Sequence, residues 1–173
     1  MPITPDTKDW TWVLQRPCPE CGFKAAAVDF DEIPRLVLEN AAGWGPVLQR
    51  ADANVRPDDV TWSPLEYAAH VRDVFRIFAV RLAMMQREDP PRFPTWDQDA
   101  TAREERYNEQ DPDTVFRELE EAASAAAELF RHVPRSERDR QGRRSDGAIF
   151  TITSLGKYFL HDPIHHLHDV GGD

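Results

Sequence analysis

The sequence predicts an all-α protein, a bundle of four long helices, on three observations. Four stretches carry apolar residues at helical spacing. Three of them open with a capping residue followed by proline in the first turn, at Asp31 and Pro34, Ser63 and Pro64, and Asp111 and Pro112. No stretch alternates apolar and polar residues as a half-buried strand would.

Residues 1–28 lack sustained periodicity and hold Trp10, Trp12, Pro17 and the run Cys18-Pro19-Glu20-Cys21-Gly22, which predicts an irregular arm whose aromatic residues pack on a body formed by 29–173. The first helix follows, with Asp31 as its expected cap and Ile33, Leu36, Val37, Asn40 and Ala41 on one face. Gly43, Gly45 and Pro46 predict a kink before Val47 and Leu48 resume the pattern. After a polar connection over 54–61, Ser63, Pro64 and Glu66 form a capping-box signature. A stripe from Leu65 through Phe75, Phe78 and Leu82 to Met85 carries the second helix to about residue 88. The 89–111 stretch is too long for a neutral connection, and Trp96-Asp97-Gln98-Asp99 suits the cap of a short helix near a pocket mouth. Asp111-Pro112 starts the third long helix, which Pro134 ends. The charged stretch 135–147 reads as an exposed loop in which Arg143 and Arg144 form an exposed basic cluster or, alternatively, meet an anionic ligand. Thr151, Thr153 or Ser154 caps the last helix.

Charge and hydropathy exclude several classes of partner. The 173 residues carry a formal net charge of −10, which argues against nucleic acid or an anionic membrane surface. No apolar run approaches the roughly 18 residues of a membrane span. The start Met1-Pro2-Ile3-Thr4-Pro5-Asp6 has neither a basic segment nor an apolar signal core, so the expected location is the cytoplasm.

The chemistry concentrates at the end of the chain. Four of the six histidines lie between Tyr158 and Asp169. On a helix His161, His165 and His168 leave one face, and imidazoles at i and i+4 can share a divalent ion such as Zn or Ni. His70, early in the second helix, is the expected third ligand. Asp73, one turn on, is either an acceptor that orients His70 or a solvated carboxylate; Asp73, His166 and His168 are the candidates for moving protons or orienting ligands. Pro163, between His161 and His165, predicts a kink in the proposed site. Cys18-x-x-Cys21 has three readings: half of a zinc site, a redox pair, or two reduced thiols in a turn. No further cysteine exists to complete the first, and the surroundings of a thioredoxin-like pair are missing for the second, so two reduced thiols in a turn is the default.

Trp62-Ser63 with Glu66 and His70 in the second helix, and His161 and His165 in the last, resemble the DinB-like superfamily, which includes mycothiol-dependent maleylpyruvate isomerases and bacillithiol S-transferases. The arm Trp12-x-x-x-Arg16-x-Cys18-Pro19-x-Cys21-Gly22-Phe23 resembles that of many actinobacterial members. The resemblance spans nearly the whole chain. It implies a four-helix bundle with a long crossing connection between helices two and three, and a divalent metal held by His70, His161 and His165. It implies thiol S-transfer, thiol-dependent isomerisation or detoxification, with mycothiol as the small-molecule thiol, an electrophilic substrate and a homodimer. His168 stands where the family pattern often has glutamine. A non-catalytic metal-binding stress or scaffold protein and a metal-dependent hydrolase are the alternatives.

Overall fold

The computed structural model describes residue 3, residues 8–88 and residues 90–172. Residues 1–2 and 4–7, where the signal-free start was read, lie outside the described residues. The bundle consists of α1 (Ile33–Leu48), α2 (Pro64–Arg87), α4 (Pro112–Arg131) and α5 (Ile152–Asp169), with a short α3 (Gln98–Glu104) inside the long connection. α4 packs against both α1 and α2, and α5 packs against the same two, so α1 and α2 touch each other far less. Trp44, Phe75, Leu82, Leu119, Phe130 and Phe159 fill the space between them. Phe130 and Phe159 stack with ring centres 5.6 Å apart.

The local start signals act as their chemistry requires. The Ser63 side chain accepts from the Glu66 backbone N–H, and the Glu66 carboxylate accepts from the Ser63 N–H at 2.8 Å. The Asp111 and Asp97 carboxylates accept from the Thr114 and Ala100 backbone N–H groups and so cap α4 and α3 without a reciprocal bond, and Thr151 caps α5 in a box with Ser154. At α1 the expected cap differs. Asp31 lies in a preceding 3-10 turn, Phe30–Glu32, opened by Asp29, and Glu32 stands at the helix boundary. The Asp31 carboxylate instead accepts from Arg138 at 2.5 Å. Both internal prolines are accommodated within continuous helices. The Pro163 carbonyl accepts a bond from the Asn40 side chain at 2.8 Å, and Asn40 in turn accepts from Trp44 at 3.3 Å. That chain of bonds ties α5 to α1 at the proline.

The stretch 135–147 is not simply a loop. β1 (Arg92–Phe93), β2 (Gln141–Arg144) and β3 (Ile149–Thr151) make a small sheet in that order. β1 and β2 run parallel, while β2 and β3 form a hairpin that sets Gly142 opposite Phe150. A Cβ at Gly142 would lie 2.9 Å from both Met85 and Phe93, so the close approach admits only glycine there. Strands this short, rich in arginine, carry no periodic signal; β2 is held by β3 on one side and by the distant β1 on the other.

The described part of the arm winds through 3-10 turns at Thr11–Leu14 and Ala25–Ala27 and buries Val13, Cys18 and Phe23. It lies along α5. No helix is long and apolar enough to cross a membrane among the described residues.

The seat of α5 generates a test. A Cβ at Gly156 would come within 2.7 Å of Ile33 and 2.9 Å of Phe130, both fully buried. Helix propensity favours Gly156→Ala by about 1 kcal/mol, whereas overpacking costs about 1–3 kcal/mol. The expected result is a net loss of stability with α-helical content preserved, read by urea denaturation followed by circular dichroism. A more stable variant would show that α5 is seated more loosely than described.

Candidate metal centre

Helix α5 presents metal-binding side chains in two adjacent frames. His161 and His165 leave one direction; Asp162 and His166, each one residue later, leave about 100° away. The second frame meets His70 from α2. His70, Asp162 and His166 offer ligand atoms that all lie within 4.8 Å of one another. His70 Nε2 is 3.2 Å from Asp162 Oδ1, and His166 Nε2 is 3.7 Å from the same oxygen. Ligands about 2.0–2.2 Å from one ion stand roughly 3–3.5 Å apart, so small side-chain adjustments suffice to close around a metal.

Neighbouring groups hold this trio in place. His70 is fully buried, stacked on Trp96 with ring centres 5.2 Å apart and flanked by Trp62 at 5.4 Å. His166 Nδ1 lies 3.1 Å from the Asp169 carboxylate, an acceptor that fixes the N–H there and leaves the Nε2 lone pair facing Asp162. Burial works against ionisation of Asp162, but His70 and His166 beside it, with the bond to His70, hold its carboxyl at about 2.

The first frame meets the arm instead. His161 and His165 form a second group with Cys18 and Cys21, again with ligand atoms within 4.8 Å. Burial, reinforced by His165, pushes His161 down to about 4, and burial also lowers His165 against the pull of Asp169. Both rings are therefore neutral at physiological pH, the form that ligates a metal. The three histidines expected to share one ion, His70, His161 and His165, are thus divided between two groups. The pairing of Asp162 with His166 at i, i+4 and the sum of two cysteines and two histidines are the sequence signals of these two groups.

The other expected site residues lie elsewhere. Asp73 accepts from Arg72 at 3.0 Å, from Arg76 at 3.1 Å and from Tyr107 at 2.5 Å, in a network reaching Glu118 of α4. It faces that network and not His70, whose carboxylate neighbour is Asp162. His168 is exposed and outside both groups.

The two frames open on a cavity of about 750 Å³ lined by Asp162, His166, Tyr67, Trp96, Arg81 and Arg144 among others. That volume is in the range of small-molecule sites. Burial pushes the Tyr67 hydroxyl up to about 12, so it remains a proton donor. Arg144 is bound to Asp146 and Tyr158. Arg81 donates to the Pro94 carbonyl at 3.0 Å and lies over the Phe78 and Phe93 rings. Burial, with Arg144 nearby, pushes Arg81 down to about 10, which leaves it charged. Arg143, in contrast, is exposed and outside the lining.

A family model described as the DinB superfamily matches residues 46–170. Among solved structures, YfiT from Bacillus subtilis, described as "a probable metal-dependent hydrolase with an unusual four-helix bundle topology", is similar at a TM-score of 0.71. The two share 19% sequence identity over 80% of this chain and 82% of that one, so the likeness concerns the fold. No curated protein matches the sequence.

The Asp73 network yields a pH test. Burial raises the Asp73 carboxyl, but the bonds from Arg72 and Tyr107 outweigh it and hold the group below its ordinary range. A carboxyl lowered by folding contributes stability above its unfolded value near 4 and loses it as pH falls through the folded value. Asp73→Asn should therefore cost about 1–3 kcal/mol at pH 7 and flatten the decline in stability on the acid side. Metal content should stay at the wild-type level; its loss would place Asp73 in the metal centre after all.

Proposed function

The chain belongs to the DinB superfamily, and from that premise we propose that it is a metal-dependent enzyme whose ion is held by His70, Asp162 and His166. The observation that carries this reading is the convergence of the three where Asp162 and His166 line a cavity of about 750 Å³, with His70 buried behind them. Two imidazoles and one carboxylate suit a late first-row divalent ion, Zn or Ni first, and leave coordination positions open. An ion so held supplies Lewis acidity and lowers the pKa of a thiol or water at those open positions.

The chain's own residues do the rest. Trp62 and Trp96 clamp the His70 ring, and Asp169 fixes the tautomer of His166. Tyr67, packed on His166 with ring centres 4.8 Å apart, offers a hydroxyl proton to an oxygen developing negative charge in the cavity. Arg81 offers a buried cation to an anionic group on the substrate. A cavity this large has room for a thiol cofactor beside an electrophilic substrate, so the reaction we assign is thiol S-transfer or thiol-dependent isomerisation, with mycothiol as the thiol. Hydrolysis by an activated water is the second reading, favoured by the likeness to YfiT. His168 stands outside the group, which speaks against a coordination shell closed by protein alone and so against a non-catalytic metal-binding stress or scaffold role.

Metal content and thiol dependence test this together. His70→Ala and Asp162→Asn should each lose the ion of this centre and lower turnover by at least about 100-fold. Turnover of electrophilic substrates by the wild type should require added mycothiol. Turnover undiminished without thiol would transfer the assignment to hydrolysis, and wild-type activity in Asp162→Asn would remove the centre from catalysis.

A further inference from the structure

We propose that Cys18, Cys21, His161 and His165 form a second, closed zinc site that fastens the N-terminal arm to α5. The site begins with a tight turn. Cys18 N–H donates to the Phe23 carbonyl at 2.9 Å, and Gly22 N–H donates to the Cys18 carbonyl at 3.0 Å. Gly22 takes the left-handed conformation at φ +74°, which glycine adopts freely. This turn brings both thiols to one side, where they face the helix. Cys18 Sγ comes within 3.6 Å of His165 Nδ1.

Several independent features point to a metal at that place. The spacing is Cys-x2-Cys with His-x3-His, a ligand set and separation of tetrahedral zinc sites. Cys18, His161 and His165 are 2%, 5% and 7% exposed. His161 Nε2 is buried with no hydrogen-bond partner among the described residues, a cost that a coordinate bond would remove. Away from the thiols, His165 Nε2 lies 3.2 Å from the Glu20 carboxylate. That contact orients the ring with its N–H outward and its Nδ1 lone pair towards Cys18.

The surroundings suit zinc better than redox chemistry. Trp10 lies 5.4 Å and Phe23 5.6 Å from the His161 ring centre, so apolar rings flank the site. Two thiolates and two neutral imidazoles around Zn²⁺ sum to zero charge, which such walls tolerate. Cys18 is only 2% exposed, and a cysteine this buried is inert in thiol exchange. With four protein ligands this ion has no open position, unlike the ion at His70. Its role is to hold Trp10 and the turn against the helix that carries both frames.

The test uses zinc-loaded protein kept reduced, with metal counted per chain. Wild type should hold two ions. Cys21→Ser and Cys18→Ser should each lose one and retain the ion that depends on Asp162. With Co²⁺ in place of zinc, the wild type should show thiolate-to-cobalt charge-transfer absorption. That band should vanish in Cys21→Ser and persist in Asp162→Asn. In unmutated protein, titrating both thiols with a mercurial should release one zinc, and trypsin should then cut faster at Lys24. Unchanged metal content and a persistent band in Cys21→Ser would overturn the proposal. So would Cys21→Ser and Asp162→Asn each removing the same single ion, since one shared site would then replace two. If only the cysteine-dependent ion is found, this proposal stands and the catalytic assignment at His70 falls.

Discussion

Successive side chains leave an α-helix about 100° apart, and that angle on α5 governs the chemistry of the whole molecule. Residues at i and i+4 share a face, so His161 pairs with His165 and Asp162 pairs with His166. A shift of one residue turns the second pair away from the first. One pair then looks towards the arm and the other towards α2. Two donor sets with different partners are carried by a single helical segment.

The rest of the fold keeps that segment in register. α5 is pressed against α2 and α4 through Phe159, which packs on Phe75, Phe78 and Phe130, and against α1 at Gly156, where a side chain would crowd Ile33. Asn40 reaches the Pro163 carbonyl, so the proline sits inside a supported helix instead of ending it. On the far side the arm lays Trp10 over His161 and His165. The connection between α2 and α4 brings Trp96 onto His70. Both long irregular segments thus terminate on the histidines, and the bundle supplies a rigid post between them.

The bundle was legible because its signals are local. Ser63 with Glu66, Asp111 before Pro112, and the apolar stripes each need only neighbours in sequence. The small sheet was illegible because Gln141-Gly142-Arg143-Arg144 owes its conformation to pairing with residues some fifty positions away. The centre was legible by residue type and not by grouping. His70 and the terminal histidines stood out, yet which frame faces α2 depends on how α5 is rotated in the bundle, a tertiary quantity. Asp73 shares a helical face with His70, but Arg72 and Tyr107 draw its carboxylate towards α4. The two cysteines have no further cysteine to join them, and their complement lies in imidazoles about 140 residues on.

Anomalous diffraction at the zinc edge, from crystals of zinc-loaded wild-type protein, addresses the division of α5 most directly. Two peaks are expected, one among His70, Asp162 and His166 and one among Cys18, Cys21, His161 and His165. A single peak bridging His70 to His161 and His165 would contradict the account, because one frame of the helix would then serve both partners.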